Sequence, residues 1–154
     1  MELGNISDLP NSSRFDPEAV NNIMGKFGHG GFLDLEYSAH GNDWVELMLD
    51  WREDLVGDPQ TGVIASAVVI SLLDNATSIA IWNLRGEFAA QVTMDLRIDY
   101  LRPSPKGAKV FGRGICYHLS RSIGFVRGIA HNGDIGDPLA HASGTFIQLG
   151  DIPR

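Results

Sequence analysis

An aspartate stands in the middle of the most apolar stretch of this chain. Between Gly62 and Leu84 the side chains are mostly Val, Ile, Leu and Ala, and Ser71, Asp74, Asn75 and Ser78 interrupt the pattern in its central turns. Spacings of three and four place those four on one face of a helix. A carboxylate there is costly unless it is paired, hydrogen-bonded or solvated from a cleft, so Asp74 is the residue that a function has to explain. A second concentration of chemistry lies further on. Arg97, Arg102, Lys106, Lys109, Arg113, Arg121 and Arg127 face a single acid, Asp99, between residues 97 and 127. Such a local excess suits a small polyanionic ligand, or simply keeps exposed strand faces soluble. The five histidines, His29, His40, His118, His131 and His141, have no ligand spacing, and no metal site is expected. The glycines around His29 (Gly28, Gly30, Gly31) precede a strand pattern and lack a following Gly-Lys-Ser/Thr, so they are not read as a phosphate loop.

The elements that would hold these residues follow from periodicity. Around most of the Gly62–Leu84 run the pattern is that of a helix buried on nearly all sides. The largely apolar run Val63 to Leu73 is only 11 residues long before Asp74 and Asn75 intervene, too short to span a bilayer. Before this run, Asp16-Pro17-Glu18 reads as the start of a short helix over Pro17 to Lys26. Phe32 to Ala39 and Trp44 to Trp51 alternate as strands about a Gly41-Asn42-Asp43 turn, and Arg52 to Thr61 reads as a polar loop. After it, Val92 to Leu101 alternates most cleanly, with Val92, Met94, Leu96, Ile98 and Tyr100 on one face. Ala108–Leu119, Ile123–Asn132 and Leu139–Leu149 complete an antiparallel run. Glycines and alanines in these late strands leave room for a helix to cross the sheet closely. The expectation is an α+β domain, one helix wrapped by one sheet, over residues 31–150, with residues 1–30 an irregular N-terminal segment carrying the short helix.

Totals narrow the class further. The 154 residues are 44% hydrophobic and 20% charged, as in a soluble globular domain. A net charge of -7 argues against nucleic acid as partner. The N-terminus has no basic start followed by an apolar region, and the single Cys116 cannot form an internal disulfide. Both fit a reducing, cytoplasmic setting without membrane association.

Four stretches in this order carry a family resemblance. They are Gly62-Val63-Ile64 with Leu72-Leu73-Asp74-Asn75-Ala76; Thr93 to Pro103; the strand from Gly107 to Gly114; and Leu139-Ala140-His141-Ala142-Ser143-Gly144-Thr145-Phe146. Together they resemble the hotdog-fold acyl-CoA thioesterases of the phenylacetate-pathway (PaaI-like) type, over roughly Phe32 to Leu149. The resemblance implies hydrolysis of an acyl-CoA thioester, with coenzyme A part of the substrate and no separate cofactor. It implies Asp74 as general base or nucleophile. It implies backbone N–H groups at Ser66 and Ala67 as the oxyanion site, and Thr93 as the family's strand hydroxyl. Arg102, Arg121 and Ser122, in turns at one end of the strands, resemble positions that meet the coenzyme A nucleotide. Asp58 and Gln60 are the nearest counterparts of a polar residue that positions the thioester. The chain departs from the family at the helix start, where Ala65-Ser66-Ala67 replaces His-Gly-Gly.

Spacing adds one constraint. Asp74 lies eight residues beyond Ser66, about 12 Å along a helix, so one chain cannot join both in a single hydrogen-bond network. The expectation is a homodimer with shared sites, or a dimer of dimers, that is, a homotetramer. The reading from another class is a non-catalytic acyl-CoA-binding or regulatory hotdog module, and a third is a purely structural dimer.

Overall fold

The computed structural model describes residues 15–19 and 28–149. Its frame is a six-stranded antiparallel sheet in the order β1-β2-β6-β7-β8-β5. The strands are β1 (Glu36–His40), β2 (Trp44–Leu49), β5 (Gln91–Tyr100), β6 (Val110–Leu119), β7 (Ile123–His131) and β8 (Ala140–Gln148). A short separate pair, β3 (Val56–Asp58) with β4 (Val63–Ile64), precedes the central helix α2 (Ser66–Arg85). A five-residue helix, α1 (Gly28–Phe32), comes before β1. Helix α2 lies across the sheet and buries Val68, Val69, Leu72, Leu73, Ala76, Thr77, Ile79, Ala80 and Ile81 against it.

The crossing is close because β6 has no side chain where the helix passes. A Cβ on Gly114 would stand 2.3 Å from the Ala76 carbonyl carbon and 2.4 Å from the Thr77 nitrogen, both helix backbone. Val45, Leu47 and Leu49 of β2 supply fully buried side chains beneath α2, as alternation leads one to expect. On length and composition alone α2 could cross a membrane, but its apolar face is occupied by this sheet. On the opposite sheet face a buried carboxylate, Glu46, accepts from Arg113 at 2.8 Å, shares a hydrogen bond with His131 at 3.1 Å and receives the Ser38 hydroxyl.

Several boundaries differ from the sequence reading. The helix begins at Ser66 rather than Gly62: Gly62 has a φ of 72°, outside helical space, and the β-branched Val63–Ile64 pair with β3 instead. The polar loop Arg52–Thr61 contains β3 and a 3-10 turn, Glu53–Leu55. Gly28, Gly30 and Gly31 lie in α1, and the strand expected from Phe32 starts only at Glu36. Leu33 and Leu35 are both buried, but in the turn that ends α1, where Asp34 takes a φ of 52°. Their alternation reflects that turn and not a strand. Pro17–Ala19 is a 3-10 turn, and the rest of the helix expected to Lys26 lies outside the described residues.

The largest difference is in β5. Its pairing with β8 slips between Thr93 and Asp95, a bulge at Met94. Before the bulge the odd-numbered side chains reach α2, and after it the even-numbered ones do. The apparent single face of Val92, Met94, Leu96, Ile98 and Tyr100 is therefore split. Leu96 and Ile98 pack on the core while Val92 and Met94 are exposed. Gly144 of β8 admits the bulge, since a Cβ there would meet the Asp95 carbonyl oxygen at 2.4 Å.

Candidate functional site

Asp74 sits on the polar stripe of α2, half-buried, facing the edge strand β5. The Thr93 hydroxyl donates to its Oδ1 at 2.8 Å. The bulge makes this contact, because it keeps Thr93 on the helix side while the even-numbered residues beyond it also face α2. Oδ2 has no partner among the described residues. The rest of the stripe is tied to local backbone or to β5: Asn75 Nδ2 donates to the Ser71 carbonyl at 2.8 Å, and Gln91 Nε2 to Ser78 at 2.7 Å. Asp74 is the one acid of the stripe, and it is left with a free oxygen at an open edge.

The helix start lies at the other end of β5. Ala65 is the N-cap and offers no side-chain acceptor; Val68 N–H donates to the Ala65 carbonyl at 2.9 Å. The Ser66 and Ala67 N–H groups precede the first intrahelical bond and find no acceptor among the described residues. With the partial positive charge of the helix terminus they form an anion-stabilising pair of donors. The Tyr100 hydroxyl donates to the Ser66 carbonyl at 2.8 Å, fixing β5 to this turn. Burial raises the Tyr100 pKa above that of a free phenol, with the Ser66 bond opposing, so the hydroxyl keeps its proton. A cavity of about 300 Å³ opens here, and its lining includes Val63, Ile64, Val69, Leu139, Ser104 and Arg102 beside Ser66 and Tyr100. A smaller one, about 190 Å³, lies between α1 and the helix start, where His29 and Ser71 share a hydrogen bond at 3.1 Å.

Other sequence candidates fall elsewhere. Asp58 accepts from the Gln60 N–H at 3.0 Å and the Thr61 hydroxyl at 2.7 Å, so it is a turn-forming residue. The Thr61 bond, then that of Gln60, holds its carboxyl below the usual range. Gln60 is exposed in the same turn. Arg102 donates to Asp137 and Asn132 beside the helix start. Arg121 and Ser122 are exposed at the opposite end of the sheet, where Arg85 of the helix C-terminus donates to the Arg121 carbonyl at 3.5 Å. The three do not share one end within a chain. The reason is strand polarity: Arg102 follows β5, and the Arg121–Ser122 turn abuts the strand end that precedes it. The basic excess is also partly neutralised, for four of the seven bases, Arg97, Arg102, Lys109 and Arg113, pair with Asp99, Asp137, Asp50 and Glu46. Three of these acids lie outside the window in which the excess was counted. Trp51 and Trp82 pack on the core, and Trp44 lies under Arg113. Among the described residues no three His, Cys, Asp or Glu side chains converge as metal donors would.

The chain resembles known proteins in both sequence and fold. The family model described as the thioesterase superfamily matches residues 61–139, just over half of the chain. No curated protein sequence matches. Among solved structures, a Pseudomonas aeruginosa protein is 28% identical with a TM-score of 0.74, covering 86% of this chain and 96% of its own. A thioesterase from Haemophilus influenzae is 23% identical (TM-score 0.76, 88% and 91% covered). The PaaI protein of the E. coli phenylacetic acid degradation operon is 14% identical (TM-score 0.71, 85% and 91% covered) and shares the fold. A half-buried helical aspartate, a threonine-bearing edge strand and an open helix start thus stand within a matched family segment, and the chain belongs to the thioesterase superfamily and has the hotdog fold.

Proposed function

We propose that the protein hydrolyses acyl-CoA thioesters at a site shared by two copies of the chain. The observation that carries this reading is the Asp74–Thr93 contact, 2.8 Å, on a sheet edge that has no pairing strand among the described residues. Asp74 and the Ser66–Ala67 donors are about 12 Å apart along one helix, yet a thioester carbonyl has to meet both. A two-fold pairing of β5 with its copy removes the conflict. Thr93 marks the position of Asp74 along β5, and Tyr100 marks that of Ser66. Thr93 therefore has to lie opposite the partner's Tyr100. With the bulge counted as one position, both side chains face the helices, as antiparallel partners must, and the axis passes through Arg97.

The same register draws Arg102 toward the partner's Gln91. In each chain Gln91 pairs with Gln148, whose N–H donates to the Ser122 carbonyl at 2.7 Å. Arg102 of one copy and the turn Arg121–Ser122 of the other then flank one site, and there we assign them to the coenzyme A nucleotide. In the reaction Asp74 takes a proton from water and the resulting hydroxide attacks the thioester carbon, or its carboxylate attacks directly and water resolves the anhydride. The tetrahedral oxyanion accepts from the N–H groups of Ser66 and Ala67. Collapse expels the thiolate of coenzyme A, which takes up the proton. Thr93 orients the carboxylate throughout.

Asp74→Asn is expected to lower kcat/KM about a thousandfold on an acyl-CoA panel, with the fold intact by circular dichroism. Wild-type turnover by this variant would rule the mechanism out. One observation favours the second reading, a non-catalytic acyl-CoA-binding module: Ser66 and Ala67 place side chains where the family has glycine. Micromolar binding of acyl-CoA with no turnover would establish it.

A further inference from the structure

The 300 Å³ cavity beside the helix start contains an anomaly that the reaction above does not use. Ser104 lines it and is 6% exposed, and its Oγ is shut off from solvent without a hydrogen-bond partner. It is the only such side-chain atom among the described residues. Native folds seldom leave a buried hydroxyl unpaired without a use. Pro103 and Pro105 on either side hold the backbone here stiff, and serine has a single heavy-atom torsion whose staggered wells reorient Oγ. Around it the lining is mostly apolar, with Val63, Ile64, Val69 and Leu139, and it also includes Ser66 and Tyr100, whose hydroxyl already donates to the Ser66 carbonyl. The one nearby charge, Arg102, is already held by Asp137 and Asn132. A ligand here therefore gains most from an apolar body with one neutral hydrogen-bonding group. Roughly ten water-sized units of about 30 Å³ fill the space, which suits a medium-length chain or one ring and not a long fatty chain.

We infer that this cavity receives the acyl end of the substrate and that Ser104 selects acyl groups carrying a neutral hydroxyl or carbonyl at that end. The inference rests on the acyl-thioester reading above and adds the substrate class to it. A pocket whose buried polar group pairs with the ligand discriminates against an analogue that leaves the group unpaired.

The test uses matched pairs, hexanoyl-CoA with 6-hydroxyhexanoyl-CoA and octanoyl-CoA with 8-hydroxyoctanoyl-CoA, and their non-hydrolysable thioether analogues. In the wild-type protein the hydroxylated member of at least one pair is expected to be favoured about tenfold in kcat/KM and in thioether affinity. Ser104→Ala is expected to bring both ratios near one, and Ser104→Thr to restore them. Ratios measured on one protein sample do not depend on how much of it is folded. A wild-type preference for the plain chains, or a ratio that Ser104→Ala leaves within about twofold, overturns the inference. If no thioester is turned over, the hydrolase reading fails separately, and the thioether affinities alone decide the role of Ser104.

Discussion

At the scale of single residues, the site depends on how one carboxylate is left incompletely satisfied. Thr93 fills one oxygen of Asp74 and leaves the other open. A base or nucleophile needs that freedom, whereas a structural acid would be paired on both sides. In the proposed mechanism Thr93 is a positioning residue. Thr93→Val keeps the shape and removes the donor, and is expected to lower kcat by about tenfold to a hundredfold with KM little changed. Thr93→Ser is expected to restore most of the rate. Steady-state kinetics on the best acyl-CoA substrate of the panel give both parameters, and equal losses in the Val and Ser variants would contradict the role. Asp74 was legible in the sequence because a lone acid in an apolar helix is conspicuous. Its contact with Thr93 was not, because the two are 19 positions apart and meet only through the fold.

At the scale of elements, the helix start and the helix crossing are built by opposite means. The start is left open, since Ala65 has no capping side chain and donors remain available. The crossing is closed as tightly as backbone allows, with Gly114 against Ala76 and Thr77. Gly114→Ala would force the helix off the sheet and is expected to destabilise the protein by about 3 kcal/mol, measured by urea denaturation. Because α2 carries both Asp74 and the Ser66–Ala67 donors, activity should fall along with stability. A change under about 0.5 kcal/mol would mean that the helix can shift freely. The need for small residues in the late strands was readable as composition. Which of them meets the helix backbone was set by the diagonal path of α2, which has no signature in local periodicity. The bulge at Met94 was hidden for a related reason: a two-residue period in sequence reports the pleat only while the ladder stays in register.

At the scale of the whole molecule, one chain presents half of the proposed site at each end of an exposed edge. Val92 and Met94, 45% and 57% exposed, lie on that edge. Such an edge is normally blunted or paired. If the axis passes through Arg97, the two copies of that residue face each other within strand spacing, about 4.5 to 5.5 Å between Cα atoms, a separation that a disulfide spans. Arg97→Cys is expected to give a cross-linked dimer under mild oxidation, read on a non-reducing gel, while Thr93→Cys is not. The native Cys116 is buried, and burial raises its pKa, so it contributes little background. A monomer at micromolar concentration by light scattering would contradict the shared site.

Local pattern alone determined the central helix, the identity of its odd acid, the hairpin at Gly41-Asn42-Asp43 and the late strands to within a few residues. These are short-range properties: propensity, alternation and turn chemistry act over one or two turns of chain. The tertiary structure decided the rest. It showed that Arg102 and Arg121 lie at opposite ends, that distant acids pair with three of the seven clustered bases, and that a bulge turns Thr93 toward Asp74. Each of these depends on which strands lie side by side, and that is settled by the burial of the whole sheet against one helix.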